Sequence, residues 1–187
     1  MGNIVDDIRA NEDTFADRPF NEVDSLALAQ LSYARMPVNV PRLDAEATDV
    51  DLAMVGVRDL LRAECYDDMF GKVWSPSMNV DLLRAMCESP RWRDLRVGGY
   101  VDEFDPETTK QFSACVFDVG DGSSYVAFRG TDSTIVGWKE DFAMAFRRPV
   151  AAQESAARYL ADIAGRRDGP LMVGGHSKGR PSGGVCG

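Results

Sequence analysis

The sequence contains little histidine, no excess of basic residues and no long apolar run. Its 187 residues include one histidine, and 21 Lys and Arg stand against 30 Asp and Glu, a formal net charge of -9. Nucleic-acid binding needs a surplus of Lys and Arg on at least one face, so we expect no nucleic-acid partner. No segment approaches the roughly 18 apolar residues of a membrane-spanning helix, so we expect no transmembrane segment.

Cysteine is sparse and shows no metal-binding spacing. None of the four cysteines belongs to a C-x-x-C pair; they are Cys65, Cys87, Cys115 and Cys186. With one histidine available, this pattern argues against a structural zinc site, and we expect no cofactor. The N-terminus lacks the basic and apolar regions of a signal peptide, so we expect a cytoplasmic protein whose cysteines are free or buried thiols.

The first half of the chain has helical patterning. Residues 1–20 are polar and acidic and predict a loosely held lead-in. Apolar residues at helical spacing predict a helix that starts at Asn21 and is closed by Pro37, a second helix from about Asp49 to Cys65, and a shorter one from about Val80 to Cys87. Residues 1–90 are therefore predicted to be a helical N-terminal region of the same domain.

The second half of the chain has the residue pattern of an α/β sheet. The predicted elements are strands over residues 95–104, 112–119 and 125–128, helices over 136–146 and 151–164, and a buried parallel strand over 170–174. The first three strands are separated by turn signals and predict an antiparallel meander. Strands followed by helices and a buried strand predict an α/β fold.

The pentapeptide Gly175–Gly179 reads Gly-His-Ser-Lys-Gly and directly follows the predicted buried strand. G-x-S-x-G after a strand is typical of a nucleophile elbow, a strained turn that exposes the serine hydroxyl, here that of Ser177. Glycine is needed at both ends because side chains there would collide with neighbouring backbone. The N–H of Lys178 would be one oxyanion donor. His176 should point away from Ser177 and is a poor candidate for the general base.

Two other interpretations compete with the elbow. The chain has 17 glycines, so on the pentapeptide alone an ordinary glycine-rich turn stays open. A phosphate-binding loop is excluded because that motif needs Gly-Lys followed by Ser or Thr, whereas Lys178 follows Ser177 and precedes Gly179.

A second segment follows the predicted strand that ends at Phe128. It reads Arg129-Gly130-Thr131, and Thr131 offers a backbone N–H and a hydroxyl as further oxyanion donors. Trp138 and Asp141 lie on the next predicted helix. Asp141 is a candidate partner for Arg129, because an arginine–carboxylate pair would fix this loop. A surface ion pair without catalytic meaning is the alternative for these two residues.

Three segments together resemble a known family. They are residues 126–132, 137–141 and 174–179, which read Val-Ala-Phe-Arg-Gly-Thr-Asp, Gly-Trp-Lys-Glu-Asp and Gly-Gly-His-Ser-Lys-Gly. In this order and spacing they resemble class 3 lipases, and more closely a largely uncharacterised bacterial branch of lipase-like α/β-hydrolases whose elbow reads Gly-Gly-His-Ser-Lys-Gly-Gly-Asn. The resemblance covers about Leu95 to Gly179.

The resemblance implies hydrolysis of a carboxylic ester, lipid esters among them, through an acyl-serine intermediate and without a metal or organic cofactor. The substrate would be a small-molecule or lipid ester. The roles it implies are Ser177 as nucleophile, Thr131 and the N–H of Lys178 as the oxyanion hole, and support of the site by Gly175, Gly179, Arg129, Gly130, Trp138 and Asp141. Residues 91–179 would be a partial α/β-hydrolase core that ends at the elbow.

The sequence departs from this family after Gly179. Residues 180–187 read Arg-Pro-Ser-Gly-Gly-Val-Cys-Gly instead of Gly-Asn and an apolar helix, so they form an atypical tail. In this fold the catalytic triad runs Ser, Asp or Glu, then His along the chain, and no Asp, Glu or His follows Ser177. We therefore expect the first half of an α/β-hydrolase sheet, incomplete at the C-terminus, and an inactive, truncated fragment. The alternative is a non-catalytic binding or interaction protein that retains the hydrolase scaffold.

Overall fold

The computed structural model of the protein describes residues 2–46, 52–105, 110–129 and 151–176. In these ranges the helices are α1 (Ile4–Ala10), α2 (Glu22–Leu31), α3 (Tyr66–Phe70), α4 (Pro76–Glu88) and α5 (Ala151–Arg166). The strands are β1 (Met54–Gly56), β2 (Arg96–Asp105), β3 (Lys110–Asp118), β4 (Ser124–Arg129) and β5 (Leu171–His176). Two short 3-10 helices follow β1, Val57–Leu60 and Ala63–Cys65.

The described strands form one mixed sheet in the order β1-β2-β3-β4-β5. The first three pairings are antiparallel, and β5 lies parallel to β4. The predicted meander and the predicted parallel strand are therefore confirmed, as is a mixed α/β fold. None of the helices in the described ranges has the length and apolar character that crossing a membrane requires.

Helices cover both faces of this sheet. The N-terminal helices α1, α2 and α4 pack on one face, where Leu28, Leu82 and Phe117 belong to one buried cluster. Helix α5 packs on the other face, where Tyr159 joins a second cluster with residues of β3 and β4. Because side chains along a strand alternate between faces, each strand contributes to both clusters.

A bulge in β2 decides which side chains reach which face. The β2–β3 register shifts between Gly98 and Val101, which inserts one extra residue into β2. Gly99 takes up the bulge at a φ of +58°, and the Tyr159 hydroxyl donates to its carbonyl oxygen at 2.8 Å. The extra residue brings Asp102 into register with Ser113, on the face that the N-terminal helices cover.

The prediction that residues 1–20 are loosely held is wrong. They contain α1, whose first turn is capped by Asn3, and the Asp6 side chain accepts the Asn3 backbone N–H in return. Val5 and Ile8 are buried on the inner side of this helix. The acidic composition of this segment gives no indication of a helix. Two buried apolar residues and a capping box are nevertheless sufficient for the helix to pack on α4.

The predicted helix from Asp49 to Cys65 is also wrong. Met54–Gly56 instead forms strand β1, which pairs with β2, and the 3-10 helices and α3 follow it. The apolar spacing in this segment is compatible with a helix, but pairing of β1 with the edge of β2 overrides local propensity. The predicted helix from Val80 to Cys87 is confirmed as α4, which Pro76 begins one turn earlier. The predicted helix over residues 136–146 lies outside the described residues.

A buried ion pair fastens the N-terminal region to the rest of the chain. The Arg91 Nε donates to Asp24 Oδ1 at 2.9 Å, and the two side chains are 0% and 3% exposed. Further N–H groups of the same guanidinium reach four backbone carbonyls, those of Asp13, Thr14, Arg18 and Pro19. Arg91 also lies 3.9 Å from the ring centroid of Phe15. One side chain therefore holds the segment between α1 and α2 in place.

Candidate active site

The two predicted motifs begin at neighbouring strand ends. Strands β4 and β5 are parallel, and Arg129, the last residue of β4, pairs in register with His176, the last residue of β5. Gly130 follows β4 in the chain, and Ser177 follows β5. Since parallel strands end at the same edge of a sheet, both motifs start from this edge, where α/β proteins generally bind ligands.

Several predicted site residues fall outside the part of the chain that the structure describes. They are Gly130, Thr131, Trp138, Asp141, Ser177, Lys178 and Gly179. Among the predicted residues, Arg129 and Gly175 are described, and each lies at the end of one of the two parallel strands.

The end of β5 is packed so closely that two successive positions admit only glycine without rearrangement. A Cβ at Gly174 would overlap the Tyr125 hydroxyl and lie 3.0 Å from Ser25 Oγ. A Cβ at Gly175 would lie 2.7 Å from the backbone carbonyl oxygen of Phe128. The strand that leads to Ser177 is therefore held on one side by β4 and on the other by α2.

Tyr125 and Ser25 link α2 to the sheet beneath this strand. The Tyr125 hydroxyl donates to the Ser25 carbonyl oxygen at 3.1 Å and lies 2.8 Å from the Ser25 Oγ. Burial raises the pKa of Tyr125, so the phenol keeps its proton at neutral pH. The two residues are 100 positions apart in the sequence, and no local pattern predicts their contact.

Arg129 at the end of β4 is paired with a carboxylate that sequence reasoning missed. Its Nη2 donates to Asp102 Oδ1 at 2.7 Å, and the two side chains are 10% and 13% exposed. Ser113 of β3 stands between them in the cross-strand row, and its small side chain leaves room for Arg129 to cross β3. The predicted partner, Asp141, lies outside the described residues, so that pairing stays a prediction.

The Asp102 carboxylate makes two further contacts. The Tyr100 hydroxyl donates to Asp102 Oδ2 at 3.0 Å, and Arg35 Nε lies 3.6 Å from the same oxygen. Burial, reinforced by the charge of Asp102, raises the pKa of Tyr100 to about 12, so this phenol stays a hydrogen-bond donor at neutral pH. Asp102 therefore fixes the guanidinium of Arg129 from the far side of β3.

A pocket of about 530 Å³ lies beside the Asp102–Arg129 pair, at the edge of the sheet where β4 ends. Its wall consists of the segment after α2, helix α3 and the turn after it, and the paired residues of β2 and β4. The lining residues are Tyr33, Arg35, Asp67, Asp68, Met69, Gly71, Lys72, Val73, Asp102 and Arg129. Six of these ten residues are charged, and both signs are present. The pocket is thus a polar cavity beside the strand end that leads to the predicted oxyanion loop.

A family model described as Mbeg1-like matches residues 86–182, just over half of the chain. The chain belongs to the Mbeg1-like family. The match begins inside α4, spans β2 to β5 and includes both predicted motifs. The pocket wall formed by the segment after α2, by α3 and by the turn after α3 precedes the matched residues. No curated protein and no solved structure matches this Mbeg1-like chain.

Two of the described thiols of this Mbeg1-like protein, Cys87 and Cys115, are buried. Burial raises the pKa of Cys87 to about 11 and that of Cys115 to about 12. Both stay protonated at neutral pH, and a protonated thiol is a weak nucleophile. Cys65 is half-buried and far along the chain from either motif. Among the described residues, no group of three or more potential ligands is arranged to hold a metal ion.

Proposed function

We propose that the protein is a serine hydrolase of the lipase and esterase type, which acts on carboxylic esters with Ser177 as nucleophile. The observation that supports this proposal is the register of the parallel strands, in which Arg129 lies opposite His176. This register starts the predicted oxyanion loop and the predicted elbow from adjacent strand ends, the arrangement that acyl transfer needs. The mixed sheet would then be the first part of an α/β-hydrolase sheet.

In this proposal the Ser177 Oγ attacks the ester carbonyl carbon while a general base takes its proton. The N–H groups of Lys178 and Thr131 stabilise the oxyanion, the alcohol leaves with a proton, and water then hydrolyses the acyl-serine. The described residues support this chemistry by holding the two strand ends. Gly174 and Gly175 fit β5 between α2 and β4, and Asp102 holds Arg129.

The general base in this chemistry is most often a histidine, and the single histidine among these 187 residues is His176. Its position next to Ser177 makes it a poor base for that hydroxyl. We therefore assign no residue to the general base, and the test addresses the nucleophile of the gene product made by its natural host.

The test is covalent labelling of that gene product, tagged at its N-terminus in the natural host, with a fluorophosphonate probe. We expect mass spectrometry to locate the probe on Ser177, and the Ser177→Ala variant to lose it. Ser77→Ala, an exposed serine on α4, is the matched control and should keep the label. Absence of label in a sample whose other serine hydrolases react would contradict the proposal and favour a non-catalytic scaffold.

A second expected result concerns Asp102. Asp102→Asn removes the charge that holds Arg129, so we expect the free energy of unfolding to fall by about 1–3 kcal/mol. If the strand end shifts, labelling of Ser177 slows by roughly tenfold to a hundredfold, because small misplacements are costly in catalysis. Urea unfolding and the labelling rate are the two measurements.

Asp118→Asn is the matched control for this experiment. Asp118 pairs with Arg167 at 2.8 Å and lies at the opposite edge of the same sheet. Its loss should lower stability to a similar or smaller extent and leave labelling unchanged. Equal slowing of labelling in both variants would show that Asp102 acts through general stability and has no role in positioning Arg129.

A further inference from the structure

The polar pocket, defined here by Arg35, Asp67, Asp68, Lys72, Asp102 and Arg129, is lined by charged side chains of both signs. Within the part of the chain that the structure describes, the side chains of Asp67, Asp68 and Lys72 make no hydrogen bond or ion pair. Arg35 is 64% exposed and approaches Asp102 only at 3.6 Å, so most of its N–H groups face the pocket or solvent. Asp102 and Arg129 satisfy each other.

Charges of both signs thus line one cavity, and no ion pair joins Asp67, Asp68 or Lys72 to another residue that the structure describes. A concave site concentrates the field of its charges, so an anionic group is attracted to Arg35 and Lys72 and a cationic group to Asp67 and Asp68. An acyl chain would have to strip water from these charged groups without replacing their hydrogen bonds, which is costly. The volume of about 530 Å³ is within the usual range for a small-molecule site.

We propose that the polar pocket binds the zwitterionic part of an ester substrate, with its anionic group on Arg35 and Lys72 and its cationic group against Asp67 and Asp68. The assignment rests on the proposed function, because it takes the bound group to belong to the molecule that Ser177 attacks. Arg129 links the two sites: it lines the pocket, and it ends the strand next to the one that leads to Ser177.

The binding test uses phosphocholine as the zwitterionic probe and isothermal titration calorimetry on the Ser177→Ala protein. We expect saturable binding of phosphocholine, and binding weaker by about tenfold or more for inorganic phosphate and for choline, each of which lacks one of the two charges. Equal affinity for phosphate, equal affinity for choline, or no saturable binding of phosphocholine would each overturn the proposal.

Variants assign this binding to the pocket. Lys72→Ala and the double variant Asp67→Asn/Asp68→Asn should each weaken phosphocholine binding by about tenfold or more, because each removes one side of the charge pairing. These side chains are exposed, so circular dichroism should show an unchanged fold. Arg93→Ala is the matched control, since Arg93 is an exposed arginine beside Asp94 that does not line the pocket. Weakening by Arg93→Ala, or unchanged binding in the pocket variants, would reject the assignment.

A second arm separates a lipid headgroup from a free zwitterion and uses the natural gene product. If the pocket binds the headgroup of an ester, Lys72→Ala raises KM for dihexanoyl phosphatidylcholine by a larger factor than KM for p-nitrophenyl butyrate, which has no charge to bind there. An equal change for both esters would overturn the substrate role. Labelling of Ser177 without phosphocholine binding rejects the pocket alone, whereas binding without labelling rejects the proposed function and the substrate role with it.

Discussion

Replacing Arg91 with methionine is expected to lower the free energy of unfolding by about 3–5 kcal/mol, the usual cost of removing one partner of a buried ion pair. The carboxylate of Asp24 is 3% exposed and would remain in the core without its cation. Four backbone carbonyls would lose the same donor, and they belong to the segment between α1 and α2. Methionine is apolar and of similar length, so the loss measures mainly charge and hydrogen bonding.

Urea unfolding followed by far-UV circular dichroism measures this change. Arg93→Met is the matched control, because Arg93 is 47% exposed and its contact with Asp94 is a surface ion pair; its effect should stay within about 0.5 kcal/mol. The double variant Arg91→Met/Asp24→Asn should recover part of the loss, since asparagine carries no charge to strand in the core. If the free energy of unfolding of Arg91→Met lies within about 1 kcal/mol of that of the parent, the buried ion pair does not have the expected role.

The strands of the second half could be predicted because their signals are local. Short apolar segments bounded by turn glycines predict strands, and the hairpin between β3 and β4 places Gly120 and Gly122 at φ values of +89° and +87°, which glycine adopts readily. The register of β4 and β5 adds what the sequence cannot supply, namely which residues of the two strands lie side by side.

The partner of Arg129 shows where local patterns stop being informative. Along a regular strand, alternation would place Asp102 on the same face as Gly98, away from Arg129. The bulge at Gly99 reverses this assignment for the rest of β2. A bulge depends on contacts from elsewhere, here the Tyr159 hydroxyl from α5, so a reading of β2 alone assigns Asp102 to the wrong face.

The N-terminal region was harder to predict for a related reason. Its elements are short and are stabilised by distant partners: β1 by β2, and the segment after α1 by Arg91. Apolar spacing alone could not distinguish β1 from a helix, because three residues are too few to establish a period. The pocket wall in this region likewise depends on how the segment after α2 packs beside α3 and the turn after it.

Replacing Gly174 with alanine is expected to destabilise the protein by about 1–3 kcal/mol, the cost of adding a methyl group to a packed site. The new Cβ would overlap the Tyr125 hydroxyl and approach Tyr125 Cζ at 2.9 Å and Ser25 Oγ at 3.0 Å. To relieve these contacts, either α2 moves away from the sheet or β5 shifts. Gly165→Ala in α5 is the matched control: its Cβ meets no atom within 4 Å, so helix propensity should make it neutral or stabilising by up to about 1 kcal/mol.

A double-mutant cycle with Tyr125→Phe identifies the clash. Removing the hydroxyl costs about 1 kcal/mol alone, because its hydrogen bond to the Ser25 carbonyl is lost. In the Gly174→Ala background the same change should cost less or become stabilising, since it removes the atom that the methyl group overlaps. Urea unfolding of the four proteins gives the coupling energy, and strict additivity would show that the hydroxyl is not the obstacle. Labelling of Ser177 then shows which element moved. Slower labelling in Gly174→Ala, with recovery in the double variant, means that β5 shifted. Unchanged labelling means that α2 moved and that the end of β5 kept its position.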